Sequence, residues 1–518
     1  MDDFLNYLDG EISKLQLDGG EANCAVISSG CKLNQFEAGQ FESLFKNRGF
    51  NIVDASNIHK IDEHKLHIDL FLINTCSVTE KADNETKRIL SRIKNKYPLS
   101  AIILTGCFAQ LNKETYTRKE YRNLGIKLID NVSKLNILTN YNNYKYNNNI
   151  AVPKKTLISA QKRIRANLKI QEGCDIKCSF CIIPKARPIH WSLNFKEVMS
   201  SIKEYYKAGF KEIIISGMNI GSYRSFYEES GANNGNNNSC GGCYNNDGNN
   251  KKIEKNFNSL LIAIEELNIP VKIRISSIDP IHINDDLINI LANSKKIQNH
   301  FHIPLQSGSN RILKAMKRNY TFEEYLTIVN KINSKIKDVA IGTDIISGFP
   351  GETEEYFTET LNNLNKLDIY YMHIFSYSDR KGTEAFLMNN ELKINQKIIK
   401  QRTAILRNIS SNKKDIFHKK FYGKTLNFLS LSKSQAISSN YIKVNIIYSC
   451  GANEKIIAEQ DYHETSAGKR YRKYGMQHTL EIPPNTFFEG MLIEEKDGLH
   501  GHNVDRCDVL FLRKTADF

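Results

Sequence analysis

The sequence predicts an α/β protein in three parts: an N-terminal parallel-sheet domain over residues 20–140, a central βα repeat over 160–395, and a small C-terminal β-barrel over 422–515. Three observations predict it. Short apolar runs in the first part end repeatedly in a cysteine. Between about 165 and 390, apolar runs of strand length alternate with amphipathic stretches of helical length, which is the rhythm of a parallel sheet, open or curled into a partial barrel. Past residue 420 only short strand-like runs with polar turns remain, and such a tail closes most naturally as a small barrel.

In the first part, "AVISSGC", "LFLINTC" and "AIILTGC" end at Cys31, Cys76 and Cys107. Each reads as a buried parallel strand, then small or polar residues, then a thiol. The C-terminal strand ends of an open parallel sheet share one edge, so the three thiols can converge. One buried cysteine alone is usually a small hydrophobe; it is the threefold ending that argues for ligands. "NYNNYKYNNNIAVPKK", residues 140–155, reads as a linker.

The central strands are expected in "ANLKI", "EIIISG", "VKIRISS", "FHIPL", "VAIGTDII" and "IYYMHIF", six units with helices such as "NFKEVMSSIKEYYKAGF" between them. Chemistry in such folds sits at the C-terminal ends of the strands. An Asn/Gly-rich insertion at about 228–253, holding Cys240 and Cys243, reads as a disordered surface loop. A long basic helix, "NQKIIKQRTAILRNISSNKKDIFHKKF", leads into the tail strands "KTLNFLSL", "SNYIKVNIIYS", "HTLEIPP" and "DVLFL".

Composition sets the class. The chain has 518 residues, 41% of them hydrophobic, enough for about three ordinary domains. No apolar run approaches the roughly 18 residues of a membrane span. The acidic start "MDDFLNYLDGEIS" lacks a signal pattern, so a cytoplasmic protein is expected, with its 11 cysteines as metal ligands or catalytic groups before disulfides. Basic residues exceed acidic ones by 71 − 57 = 14. That surplus favours nucleic acid ahead of membrane as partner, against the reading of scattered solvated charge. Candidate phosphate-facing clusters are Lys154, Lys155, Lys162, Arg163, Arg165 and Lys169; Lys413, Lys414, Lys419 and Lys420; and "KRYRKY" at 469–474.

"QEGCDIKCSFCIIP" places Cys174, Cys178 and Cys181 just after the first central strand. Three thiolates on an iron–sulfur cubane leave one iron open for a small molecule. A zinc site completed by Cys240 and Cys243 is the structural alternative, although the x3 gap does not suit a zinc ribbon. The C-x3-C-x-aromatic-C pattern, with Phe180 as the aromatic, resembles the signature of radical S-adenosylmethionine (SAM) enzymes. "GCKLNQFEAGQ", "NTCSVTEKAD" and "GCFAQ" resemble the N-terminal domain of the methylthiotransferases within that group. The branch they resemble most acts on tRNA carrying N6-threonylcarbamoyladenosine at position 37, beside the anticodon.

The resemblance implies two 4Fe-4S clusters, one on Cys174, Cys178 and Cys181 and an auxiliary one on Cys31, Cys76 and Cys107. It implies a radical SAM partial (β/α)6 barrel, and SAM held at the strand ends by Phe180, Gly217, Asn219, Ser276, Gln306 and Asp344, with Gly221, Ser277 and Ser307 beside them. The tail resembles a TRAM RNA-binding domain, and the anticodon arm of tRNA, an electron donor such as flavodoxin or ferredoxin and a sulfur source follow as partners. The family often has Pro-x-Ala-Arg-Gly and then Arg-Ser after the cysteine motif; here Arg187 and Ser192 remain while Pro188 and Trp191 depart. Two other substrates fit the same chemistry, a ribosomal-protein side chain and isopentenyladenosine in tRNA. A non-catalytic zinc-bearing RNA-binding module is the rival of another class.

Overall fold

The computed structural model describes residues 10, 22–54, 67–116, 125–139, 164–228, 252–388, 390–447, 462–464, 470–472, 482–493 and 507–514. The linker at 140–155, the insertion between 229 and 251 with Cys240 and Cys243, and residues 154, 155, 162 and 163 lie outside that set.

Five parallel strands form the N-terminal sheet: β1 (Asn23–Ser28), β2 (Asn51–Val53), β3 (Leu70–Thr75), β4 (Ala101–Gly106) and β5 (Ile126–Ile129), in the order β2-β1-β3-β4-β5. Leu70–Thr75 is buried along its whole length. Such a run must be covered on both faces. Phe41, Phe45, Ile137 and Leu138 cover one face, against Leu70, Leu72 and Ile103. Leu90, Ile93 and Tyr97 cover the other, against Phe71, Ile73, Ile102 and Leu104. Cys24 is a fully buried member of the first core, so its role is packing.

A parallel strand β6 (Ala166–Lys169) opens the central part, and a hairpin of β7 (Gln171–Glu172) and β8 (Trp191–Ser192) closes the base of the cysteine loop. Then follow β9 (Glu212–Ser216), the antiparallel pair β10 (Arg224–Glu228) and β11 (Lys252–Asn256), β12 (Lys272–Ile275), β13 (His300–His302), β14 (Ala340–Ser347) and β15 (Tyr371–Ser376). Parallel ladders run β6-β9-β12 and β13-β14-β15. The two trios join where Ser277 bridges His302 and the amide of Gln298 donates to Ile273 at 2.8 Å. The expected six strands therefore form one curved parallel sheet, with no ladder joining β6 to β15 among the described residues. One boundary needs correction: residues 228, 252 and 253 belong to the paired strands that flank the insertion, not to a loop.

The helix Gln396–Lys419 leads to the tail, as its basic amphipathic pattern predicts. There β16 (Thr425–Ser430), β17 (Gln435–Ser438), β18 (Lys443–Ile447), β21 (Phe487–Ile493) and β22 (Cys507–Lys514) close a five-stranded barrel, with the short pair β19 (Tyr462–Glu464) and β20 (Arg470–Arg472) apart from it. Strand β17 and strand β21 were not expected from sequence, and "HTLEIPP" gives no strand among its described residues. The barrel docks on the N-terminal ends of the central strands. Arg274 donates to the carbonyls of Ser438 and Ser439, and Tyr441 stacks on His300 with centroids 4.0 Å apart. No helix of the described residues is long and apolar enough to cross a membrane.

Candidate metal centres

Strands β1, β3 and β4 are neighbours, so their C-terminal ends lie side by side and carry Cys31, Cys76 and Cys107 to one edge. Two glycines allow the loops to close there. Gly106 sits at φ 94°, and a Cβ on it would stand 2.4 Å from the Thr75 carbonyl oxygen. A Cβ on Gly30 would stand 2.5 Å from that of Cys76, so the loop carrying Cys31 lies directly on Cys76. Asn34 ties the two together by donating to the carbonyls of Ser29 (2.8 Å) and Thr75 (3.0 Å). Cys31 occupies the N-cap position of the helix Lys32–Lys46. Burial pushes the Cys76 thiol up to about 11, and pushes Cys107 up against the opposing pull of Arg187 and Lys134. Both must lose protons on taking up metal.

The second trio lies on the loop after β6. Burial raises the Cys174 thiol to about 11 and that of Cys181 to about 12. Cys178 is raised by burial too, against the Arg318 guanidinium, whose Nη1 stands 2.9 Å from its sulfur. Arg318 is also paired with Asp279.

The proposed SAM-contacting residues sit at the neighbouring strand ends. Asn219 donates from its side chain to Asp175, beside Cys174, at 3.3 Å, and from its backbone amide to Gln171 Oε1 at 2.8 Å. Its Oδ1, and the Oγ of Ser276, are buried without a partner among the described residues. Orphaned buried acceptors and hydroxyls carry a penalty unless a ligand meets them, and the polar groups of SAM suit them. Gly217 has a different account: a Cβ there would strike Ile220 at 2.7 Å and Gln171 at 2.9 Å, so packing alone demands glycine. Gly221 is likewise closed in by His282. Gln306 holds φ 73° after β13, with its amide donating to Asp344. Ser307 is buried and shares a hydroxyl contact with Thr360, while Ser277 serves in the bridge to His302. Phe180 packs edge-on to Phe349 within an apolar cluster, centroids 6.5 Å apart.

Asp344 faces two histidines on its neighbouring strands, His302 at 2.9 Å and His373 at 3.3 Å, and these hold its carboxyl well below the usual range despite burial. Those three are the one group among the described residues close enough for a single ion, with ligand atoms within 4.8 Å. Neither cysteine trio meets that spacing. A cubane, whose corner irons stand apart, accepts thiolates set more widely than one zinc does. Each trio offers three soft donors, which fits a 4Fe-4S cluster with one open corner.

Sequence reading missed Arg187, Glu37, Arg318 and Arg380 as a set. Arg380 donates to Ser77 (2.7 Å), next to Cys76, and to Asp83 (2.8 Å), so it clamps the first trio to the central barrel. Lys169 was expected to face phosphate; it is instead buried and bonded to Glu37 at 2.7 Å. Arg165 likewise pairs with Glu212, and Lys420 with Asp368.

Comparison with known proteins places both centres within matching regions. Residues 168–364 match the radical SAM superfamily and residues 23–125 match "Uncharacterized protein family UPF0004". The chain is 31% identical to the threonylcarbamoyladenosine tRNA methylthiotransferase MtaB of Aquifex aeolicus, over 81% of this chain and 95% of the relative. It is 34% identical to the protein of that name from Bacillus subtilis, over 73% and 78% of the two chains. A tRNA-2-methylthio-N(6)-dimethylallyladenosine synthase of Fusobacterium nucleatum is 32% identical over 71% and 79%.

Proposed function

The chain belongs to the radical SAM methylthiotransferases of MtaB type, and from that membership we propose that it adds a methylthio group to C2 of N6-threonylcarbamoyladenosine at tRNA position 37. The observation that carries the reading is the presence, in one chain, of two cysteine trios at C-terminal strand ends, Cys31, Cys76 and Cys107 on one sheet and Cys174, Cys178 and Cys181 on the next. When bound, the second cluster would supply the electron that cleaves SAM to the radical taking hydrogen from an unactivated carbon, the auxiliary cluster would present or donate the sulfur, and a second SAM molecule would supply the methyl group.

The chain's own residues have definable tasks in that reaction. Asn219 Oδ1 and Ser276 Oγ are acceptors free to orient SAM at the strand ends. Arg318, whose guanidinium reaches Cys178, is itself fixed by Asp279 and Tyr320, so it holds the loop of the second trio in place. Arg380 and Arg187 hold the auxiliary edge against the barrel. We take the domains at 20–140, 160–395 and 422–515, with the tail barrel acting as a TRAM-like grip on the anticodon arm. A low-potential donor such as flavodoxin or ferredoxin and a separate sulfur source complete the cycle, and thiolate clusters of this kind suit the cytoplasm.

The test is nucleoside mass spectrometry of tRNA from cells with and without the gene. Loss of the 2-methylthio form of threonylcarbamoyladenosine, with the parent nucleoside accumulating, is expected. Loss of the methylthio form of isopentenyladenosine alone would move the substrate, and no change in either would refute tRNA as target.

A further inference from the structure

Five buried ionisable side chains meet where the N-terminal sheet packs on the central barrel. Glu37 is the hub. It accepts from Lys134 at 2.6 Å, from Lys169 at 2.7 Å and from Arg187 at 2.8 Å. Glu172 takes Lys169 and Arg187 on its own two oxygens. Each of the five is at most 6% exposed. Three cations face two carboxylates, and 3 − 2 leaves one positive charge unmatched in the interior. Asn34, which accepts from Arg187 at 2.6 Å, and Asn74, which donates to Glu37 at 3.3 Å, are neutral and do not correct the sum.

An unmatched buried charge is costly by several kcal/mol even after relaxation. A buried donor also stands idle: Arg187 Nε has no acceptor among the described residues. The groups within reach that become anionic on taking up metal are the auxiliary thiols. The charges of both Arg187 and Lys134 reach the Cys107 sulfur. Asn34, which shares Arg187, is also the acceptor for the Cys31 thiol. An oxidised, doubly positive 4Fe-4S core on three thiolates carries one net negative charge. That is the charge the network lacks.

We propose that Glu37, Glu172, Lys134, Lys169 and Arg187 form the built-in counter-charge of the auxiliary cluster, setting its potential and making complete docking of the two domains depend on its presence. The proposal rests on the reading that Cys31, Cys76 and Cys107 hold that cluster. Lys134 contributes the unmatched cation and is a positioning residue, touching neither substrate nor SAM.

The experiment uses Lys134→Met and Lys134→Arg in the full chain, reconstituted anaerobically and also as the metal-free form. Redox titration followed by electron paramagnetic resonance reads both clusters, with the Cys174–Cys178–Cys181 cluster as internal reference. Lys134→Met is expected to shift the auxiliary potential to more negative values, because a nearby positive charge no longer favours the added electron. The reference should stay in place, and auxiliary iron should be lost to chelator about tenfold faster. Lys134→Arg should restore both. In the metal-free form Lys134→Met should melt at or above the wild-type temperature, since the unmatched charge is gone. A lower metal-free melting temperature with an unmoved auxiliary potential would make Lys134 an ordinary structural ion-pair partner and overturn the proposal. Wild-type protein whose auxiliary trio binds no cluster would overturn the functional reading and this proposal together, and is recognised by its iron content alone.

Discussion

Arg380, on the loop after the last central strand, places its Nη2 2.8 Å from Asp83 Oδ2 across the domain boundary, while bonding Ser77 beside Cys76. A largely desolvated guanidinium–carboxylate pair thus fixes one cluster edge relative to the other. Arg380→Ala should leave SAM cleavage within about twofold of wild type while methylthio product falls at least tenfold, because radical formation and sulfur delivery would no longer be aligned. A double-mutant cycle with Asp83→Ala should give a coupling of roughly 1–2 kcal/mol. Equal losses in 5′-deoxyadenosine and product would assign Arg380 to folding instead.

Separate roles for the two trios predict separable defects. Cys178→Ala should abolish 5′-deoxyadenosine formation outright. Cys107→Ala should keep it and lose only methylthiolation. Persistent 5′-deoxyadenosine in Cys178→Ala, measured by chromatography against a SAM-only control, would show the assignment to be wrong.

Gly106 is the tightest point of the auxiliary edge. Its φ of 94° and the 2.4 Å approach of the Thr75 carbonyl leave no room for a methyl group. Gly106→Ala is expected to cost about 3 kcal/mol or more of stability, and to lower bound iron by about half, as read by urea titration and iron assay. A variant as stable as wild type would mean that this turn can relax.

Acid should separate the tail barrel from the central strands. Burial pushes Glu212 up, but Arg274, then Arg165 and Gln298, bring it down from 4.5 to about 2. Its folded pKa is depressed, so its contribution is complete above pH 4.5 and is lost as pH falls towards 2. The shift corresponds to roughly 3 kcal/mol. Arg274 also holds the Ser438 and Ser439 carbonyls, so the docked barrel should loosen in the same window. Urea melts of metal-free protein between pH 5 and pH 3, compared with Glu212→Gln, check this: the variant should be weaker at pH 5 and show a flatter decline.

For the tRNA grip, the exposed cations of the tail are the test, because deleting the barrel would strip the base of the central strands. Lys424→Glu together with Lys443→Glu should weaken tRNA binding and reduce the slope of log affinity against log salt by about 2. An unchanged slope would remove the tail from the interface.

Much of this was legible in the sequence, and the reasons are local. The six central strands are continuous apolar runs followed by amphipathic helices; Cys31, Cys76 and Cys107 each follow a strand end, and Cys174, Cys178 and Cys181 share the loop after the first central strand. Short strands escaped because three residues such as Asn51–Val53 carry no periodicity. The charge network escaped for a different reason. Glu37, Lys134, Lys169 and Arg187 are far apart in sequence, and an isolated lysine reads as a solvated cation; Lys169 was accordingly placed among phosphate-facing residues. Only the packing of one domain on the other reveals it as buried. Nor does sequence show that Gly217 answers to Ile220 and Gln171 rather than to a ligand.

The most direct test of two cubanes on two cysteine trios is iron and sulfide quantification with Mössbauer spectra of anaerobically reconstituted protein, alongside variants lacking each trio. About eight irons per chain are predicted for wild type, with about four remaining when Cys31, Cys76 and Cys107 are replaced and about four when Cys174, Cys178 and Cys181 are replaced. A wild-type chain holding four irons, or zinc in a colourless protein, would contradict the account.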